Sequence, residues 1–328
     1  MDNSTTPIIR TQQLTKEFEE FTAVKDINLN VSKGEIFAFI GPSGCGKTTT
    51  IRMLVGTYKP TSGTAEVWGK PATSFTLTDQ EKIGYMPQLF VLYSNLTIWE
   101  NMNFAASLYG VPWRRKKRLQ ELLELVELNE HSKKKVSDIS GGMKKRLSLA
   151  ATLIHEPELM FLDEPTSGID PILRRKIWDH FTTLQKKGHT LFITTQHVEE
   201  SERADKVGLM SAGRLIAVDD PLGLRRQGLG GDGIHIHPAV TLTDDVVDAL
   251  RQQPFVISDL RPLGRRKWEI TVEEADKALP LIFAWFKQRE INLESVNQHY
   301  PPYEEVFVRL IENSQSNQSD QSKVGLHV

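Results

Sequence analysis

One segment restricts the folds open to this chain more than any other. Gly41-Pro-Ser-Gly-Cys-Gly-Lys47-Thr48 fits the pattern G-x-x-x-x-G-K-[ST] without a gap. Before it stands Glu35-Ile-Phe-Ala-Phe-Ile40, nearly all apolar, which reads as a buried central strand. After it comes Ile51-Arg-Met-Leu-Val55, a helical pattern. Strand, glycine loop and helix in that order make a phosphate-binding loop. The glycines let backbone N–H groups converge on phosphate oxygens, and the helix start adds about half a positive charge. Lys47 is placed to reach the β- and γ-phosphates, and the Thr48 hydroxyl to hold Mg²⁺. The candidate nucleotide-binding set is therefore Gly41, Pro42, Ser43, Gly44, Cys45, Gly46, Lys47, Thr48 and Thr49.

A second buried strand, Leu159-Met-Phe-Leu, ends on Asp163-Glu164. Acids at the carboxyl end of a buried parallel strand sit where such sheets bind ligands. Asp163 suits the Mg²⁺ shell, which leaves Glu164 to orient and polarise an attacking water. A third apolar strand covers 190–194, and 27–40 reads as two strands around Ser32-Lys33-Gly34. Residues 95–155 read as helical, with Leu119, Leu122, Leu123 and Val126 in a stripe. This predicts an α/β core with a parallel sheet, an N-terminal β part and a helical insertion at about 89–155.

The character changes near Pro221. Residues 1–222 form the predicted first domain and 223–233, with its GLGGDG run, a linker. Residues 234–312 follow the order β-α-β-β-α-β, a ferredoxin-like α+β pattern that counts 254–260 as a strand and closes with a short helix at 303–311. The polar run at 313–328 is expected to be disordered. His235 and His237 share one face of a strand, which by itself is weak support for a metal site.

With 328 residues, 39% hydrophobic and 25% charged, the chain fits a soluble globular protein, and its net charge of −2 gives no pull toward nucleic acid. A lone cysteine, Cys45, excludes an internal disulfide and suits a reducing compartment. No window approaches the roughly 18 apolar residues a membrane span needs, so any membrane connection runs through a partner.

Another run, Ile139-Ser-Gly-Gly-Met143 followed by basic helix formers, builds a second anion-binding helix start. Taken in order with the phosphate loop and the Asp163-Glu164 strand, it resembles the signature motif of ABC transporter nucleotide-binding subunits. The resemblance covers about 8–222. Beyond it, the ending Tyr303-Glu-Glu-Val-Phe-Val308 resembles the C-terminal domain of the ABC-2 exporter ATPases, a group that includes drug-resistance and polyketide-efflux members. The family likeness implies a P-loop ABC ATPase core. It implies Phe18 as the aromatic against adenine, with Phe21 a rival, and Gln88 as the Q-loop glutamine that reaches Mg²⁺. It implies Ser140, Gly141, Gly142 and Met143 as the signature contacts, and Asp170 in a D-loop along a dimer seam.

Two positions depart from the family pattern. Met143 stands where glutamine is usual, and methionine donates no hydrogen bond. After the strand comes Thr194-Thr195-Gln196-His197, so either Gln196 or His197 holds the switch position, with Gln196 favoured by the spacing to Glu199 and Glu200. The catalytic candidates are thus Glu164, Gln196 and His197, and the metal candidates Thr48, Gln88 and Asp163. The resemblance implies a homodimer with ATP sandwiched between subunits, an ABC-2 type transmembrane partner docking on 89–99, a place on the cytoplasmic face of the (inner) membrane, and no nucleic acid. The alternatives are a soluble ABC ATPase acting on ribosomes or DNA, and a P-loop kinase.

Overall fold

In this computed structural model residues 7–324 are described, apart from 90, 258–259 and 301. The chain divides into two units, Met1–Val218 and Asp219–Val328. The first unit runs β1 (Ile9–Phe18), β2 (Phe21–Val31), β3 (Ile36–Ile40), α1 (Lys47–Leu54), β4 (Ser62–Val67), β5 (Lys70–Pro71), α2 (Leu77–Gln80) and β6 (Ile83–Met86). Then follow α3 (Ile98–Leu108), α4 (Lys116–Leu125), α5 (Gly141–Thr152), β7 (Leu159–Asp163), α6 (Pro171–Lys186), β8 (Thr190–Thr195), α7 (Val198–Ser201), β9 (Lys206–Ser211) and β10 (Arg214–Asp219).

β3, β7 and β8 are buried at every position, as their largely apolar sequences favour, with Asp163, Thr190, Thr194 and Thr195 the buried polar exceptions. They lie in a sheet of order β10-β9-β3-β8-β7-β6, in which β9, β3, β8, β7 and β6 run parallel. The register aligns Ile40 with Thr195 and Leu209, Asp163 with Thr194, and Met86 with Leu162. One edge of the sheet therefore gathers the ends of all five parallel strands. The turn at 32–34 does not make a hairpin, because β2 joins a separate antiparallel sheet of order β2-β1-β4-β5. The half-buried alternation of β2 suits an antiparallel sheet with one wet face, whereas β3 needs cover on both. Between β6 and β7 the chain is largely helical, with α3 and α4 packed on α5.

The second unit runs α8 (Pro221–Leu229), β11 (Asp232–Pro238), α9 (Asp244–Arg251), β12 (Arg261–Pro262), β13 (Trp268–Val272), α10 (Ala275–Gln288), β14 (Leu293–His299) and α11 (Tyr303–Val324). Its antiparallel sheet has the order β12-β13-β11-β14, the ferredoxin-like arrangement. Ile234, Ile236, Ile270 and Val272 turn to one face and pack with Leu250, Ile282 and Phe286. Gly233, His235 and His237 alternate onto the other.

Three expectations are corrected here. The stretch read as a linker at 223–233 is helix α8 followed by the start of β11. Asp220 caps the helix by accepting from the Gly223 N–H, Pro221 opens it, and Gly230 ends it at φ 75°. The glycines mark a helix end. Asp232 is also tied down, accepting from Arg226 at 3.1 Å and from the Ala275 N–H at 2.9 Å. Second, the strand expected at 254–260 is absent from its described residues, and the two-residue β12 follows it instead, with 258–259 outside the described residues. Third, the tail read as disordered from 313 continues α11 to Val324, since it holds no glycine or proline before that point. Residues 325–328 lie outside the described residues.

Candidate nucleotide site

The phosphate loop leaves β3 at the gathered strand ends and enters α1. Its glycines adopt conformations that side chains avoid: φ is 154° at Gly41, 77° at Gly44 and 111° at Gly46. A Cβ on Gly41 would lie 2.1 Å from the Met210 carbonyl oxygen, and one on Gly46 2.4 Å from that of Ala23. These two glycines are thus fixed by crowding beneath the loop. Gly44 has nothing within 4 Å and faces open space. Pro42 and Ser43 are also exposed, and Thr49 is half-buried. The Cys45 side chain is buried in the core cluster, with its Sγ 4.0 Å from the Lys47 ammonium. Burial pushes its thiol above the usual range, against the opposing pull of Lys47.

Lys47 is buried, and its ammonium donates to the carbonyls of Gly41 at 2.7 Å and Pro42 at 3.0 Å. Among the described residues no carboxylate pairs with it. A phosphate bound in the loop supplies the missing countercharge. The Thr48 hydroxyl donates to Asp163 Oδ2 at 2.7 Å, while Thr194 Oγ1 donates to Asp163 Oδ1 at 2.5 Å. Asp163 is fully buried, so both of its oxygens are held in place.

Glu164 follows with φ 53°, an unusual conformation for a side-chain-bearing residue. Its N–H is held by Thr194 through the backbone oxygen at 3.1 Å and Oγ1 at 3.0 Å. That double tether directs the carboxylate toward β8, where Gln196 Nε2 donates to Glu164 Oε1 at 2.5 Å. His197 is placed differently: its backbone N–H donates to Thr195 Oγ1 and it stands at the cap of α7. Of the two switch candidates, the structure brings Gln196 to Glu164.

Glu200 was not among the site residues read from sequence. It is buried and accepts from Thr166 at 2.8 Å and Thr195 at 2.9 Å, with Arg174 Nε at 3.3 Å. It ties the segment after Glu164 to the segment carrying Gln196. Lys145, on α5, was missed as well. Burial lowers its ammonium below the lysine range, and Glu164, Asp163 and Glu200 pull in the opposite direction. The only sequence signal for either was the acidic and basic clustering of Glu199-Glu200 and Lys144-Lys145.

The remaining candidates are spread around the unit. Gln88 is exposed, two residues beyond the end of β6. Phe18 is 36% exposed and stacks on Phe21 at 5.5 Å, with Tyr58 edge-on at 5.9 Å, so an aromatic surface stands open and either ring is available. Ser140 caps α5, its Oγ accepting from the Met143 N–H at 3.2 Å and its own proton left to donate. A Cβ on Gly141 would meet nothing within 4 Å, and one on Gly142 only the Gly168 carbonyl at 3.9 Å. Met143 is half-buried. The start of α5 is thus capped by Ser140 and open at both glycines. Asp170 spends its carboxylate capping α6, accepting from the N–H groups of Ile172 and Leu173.

In the same unit, α3, α5 and residues 85–89 and 91–93 enclose a groove of about 570 Å³ whose lining includes Tyr58, Tyr85, Leu89, Val91, Tyr93 and Phe104. Leu89 and Val91 are 77% and 78% exposed. Trp99 is half-buried, and residue 90 lies outside the described residues.

A phosphate loop at β3, a paired acid at the end of β7 and a polar switch after β8 define a P-loop nucleotide-binding domain of the ABC class. A family model described as ABC transporter matches residues 24–167. The chain is 34% identical over 305 residues to the linearmycin resistance ATP-binding protein LnrL of Bacillus subtilis (strain 168), covering 92% of this chain and 98% of that protein. It is 39% identical over 221 residues to YbhF of Escherichia coli (strain K12), named a "probable multidrug ABC transporter ATP-binding protein", covering 67% of this chain but only 38% of that one. A Nod factor export ATP-binding protein I from Ralstonia nicotianae is 35% identical over 234 residues, 71% of this chain and 73% of its own. Among solved structures, an ATP-binding subunit of an ABC transporter superposes with a TM-score of 0.62 at 27% identity, over 67% of this chain and 92% of that one. An ATP-binding cassette in a dimeric, post-hydrolysis state with ADP and Pi gives 0.59 at 26%, over 65% and 98%. The chain belongs to the ABC transporter family, as an ATP-binding subunit. Among the described residues no helix is long and apolar enough to cross a membrane.

Proposed function

We propose that this chain hydrolyses ATP as one half of a head-to-tail homodimer, and that it powers a membrane-embedded exporter of the ABC-2 type from the cytoplasmic face of the (inner) membrane. One observation carries the reading: the Thr48–Asp163 pair and the Glu164–Gln196 pair stand together at the strand ends beside the phosphate loop. ATP binding draws Lys47 from the carbonyls of Gly41 and Pro42 onto the phosphates. The N–H groups of the loop and the start of α1 take up charge on the phosphoryl oxygens. Glu164 accepts a proton from the attacking water, whose oxygen bonds to the γ-phosphorus as the bond to ADP breaks. Gln196, donating to Oε1, holds that carboxylate in position. A neutral amide does not shuttle a proton, so the proton transfer falls to Glu164 alone.

The residues fit Mg²⁺: a hydroxyl and a buried carboxylate, both hard oxygen donors, already converge at 2.7 Å, with Gln88 near the same edge. When bound, the ion neutralises charge developing on the phosphoryl oxygens.

The dimer is supported by the open signature site, a built anion-binding helix start with no phosphate of its own chain assigned to it. In a twofold pair it meets the ATP held by the other copy. Export is supported by relatives named for multidrug transport, linearmycin resistance and Nod factor export. The groove with Leu89 and Val91 at its rim has the apolar, aromatic character of a docking surface for the transmembrane partner. A role on ribosomes or DNA has no comparable support.

Ser140→Arg tests the shared site. ATP binding by calorimetry is expected to persist, while ATP-driven dimerisation, read by light scattering, and turnover are lost. A monomeric form hydrolysing ATP at the full rate refutes the sharing.

A further inference from the structure

The face of the C-terminal sheet opposite its apolar core carries unused chemistry, with Leu222, Arg225 and Arg226 of α8 lining a pocket beside Gly233 and His299. Its central strand β11 presents Gly233, His235 and His237 on that face. On one side β13 sets Glu269 directly opposite His235, and on the other β14 sets His299 opposite Gly233. Because Gly233 has no side chain, nothing stands between the two flanking strands at that point. The Glu269 carboxylate leans into the space: its Oε1 is 3.8 Å from where a Gly233 Cβ would be. That oxygen lies 3.9 Å from His235 Nε2 and also 3.9 Å from His299 Nε2. The two imidazoles stack with centroids 3.9 Å apart and planes at 15°. All three side chains are half-buried, so their donors are neither fully hydrated nor sealed away.

A distance of 3.9 Å is too long for a hydrogen bond. The three donor atoms surround a gap and do not satisfy one another, and all lie within 4.8 Å of each other. We propose that His235, Glu269 and His299 bind a divalent transition-metal ion of the zinc class. Tetrahedral zinc with bonds of about 2.0–2.2 Å needs donors roughly 3.3–3.5 Å apart. The two carboxylate–imidazole pairs must each close by about half an ångström, and the stacked rings must rotate about χ2 until both Nε2 lone pairs point at one centre. Two imidazoles and one carboxylate select zinc, copper, nickel or iron over magnesium and calcium, which take oxygen donors. The ligands come from three adjacent strands, so the ion staples β13, β11 and β14 together and leaves at least one coordination position open to solvent.

His237 is outside the set although it shares the face. Its Nδ1 sits 3.3 Å from Glu294 Oε2, and Glu294 Oε1 accepts from Arg266 at 2.7 Å. That makes a separate pair and a built-in control.

The test uses the full chain, stripped with chelator and titrated with Zn²⁺ by calorimetry, with the melting temperature followed in parallel. Wild type is expected to bind one Zn²⁺ at this site and to melt higher with Zn²⁺, while Mg²⁺ at the same concentration leaves the melting temperature unmoved. Losing even an outer-sphere partner costs 10–100-fold in affinity, so His299→Ala and the near-isosteric Glu269→Gln are expected to lose at least about tenfold. His237→Ala is expected to bind as wild type. Equal Zn²⁺ affinity and melting shift in wild type, His299→Ala and Glu269→Gln overturns the site, because the ion is then held by other histidines. Equal loss in His237→Ala overturns it too. If His299→Ala fails to fold by circular dichroism, Glu269→Gln decides alone.

Discussion

Replacing Gln196 and His197 in turn separates two mechanisms that the sequence leaves side by side. Gln196 Nε2 donates to Glu164 Oε1 at 2.5 Å, a charge-assisted bond once the carboxylate is ionised. Hydrogen bonds to charged groups contribute about 1.5–3 kcal/mol. Where that energy is spent on holding the carboxylate in line with the attacking water, a geometry the transition state needs, Gln196→Ala lowers kcat by roughly 10–150-fold. The effect belongs in kcat, since Gln196 touches the base and not the phosphate loop, so ATP affinity by calorimetry stays near wild type. His197 is held through its backbone N–H to Thr195 Oγ1, which His197→Ala preserves. Its turnover is expected within about threefold of wild type, the scale of a substitution that leaves the anchoring bond in place. The assay is phosphate release at saturating ATP, paired with a pH profile. A switch residue that cannot titrate adds no histidine limb near neutrality, so wild type and His197→Ala should give profiles of the same shape. A larger kcat loss in His197→Ala than in Gln196→Ala refutes the assignment, and so does a neutral limb that disappears with His197.

Two further expectations bear on the same site. Glu164→Gln keeps the side-chain volume but removes the base; turnover should fall roughly a hundredfold or more, about 2.7 kcal/mol, with ATP binding retained, and near-normal phosphate release would remove Glu164 from its role. Cys45 sits in the core beneath the loop with its thiol raised by burial. Alkylation followed by mass spectrometry should therefore run far slower than for free cysteine at pH 7–8. Because the folded thiol is raised, its contribution to stability is complete below the unfolded value and is lost as pH climbs through the folded one. Reaction as fast as free cysteine at pH 7–8 would contradict the buried placement.

The parts of the molecule that were legible in sequence are those whose physics is local. The strand–loop–helix around Lys47 needs an apolar run, glycines at positive φ and a helix start, all adjacent in the chain, and the structure has them at the same residues. The ferredoxin-like order was readable for the same reason, because each helix and most strands carry their own period. Local signals misled where one residue type serves two purposes. Gly228, Gly230 and Gly231 read as a flexible joint, yet Gly230 ends a helix whose start, Asp220-Pro221, was equally visible. The polar tail composition spoke for disorder, while the lack of glycine and proline spoke for helix, and the helix prevails to Val324.

What stayed hidden depends on register and topology. Gln196 and His197 differ by one residue, and only the parallel pairing of β7 with β8, Asp163 against Thr194, decides which side chain meets Glu164. Glu200 holds Thr166 and Thr195 together across two connections that are far apart in sequence. The histidine cluster shows the same limit most plainly. His235 and His237, two apart, invited a metal reading that their spacing could not carry, and they turn out to have different partners. The donors that complete the set, Glu269 and His299, reach His235 only because the sheet order places β13 and β14 on either side of β11, and because Gly233 leaves the gap between them open.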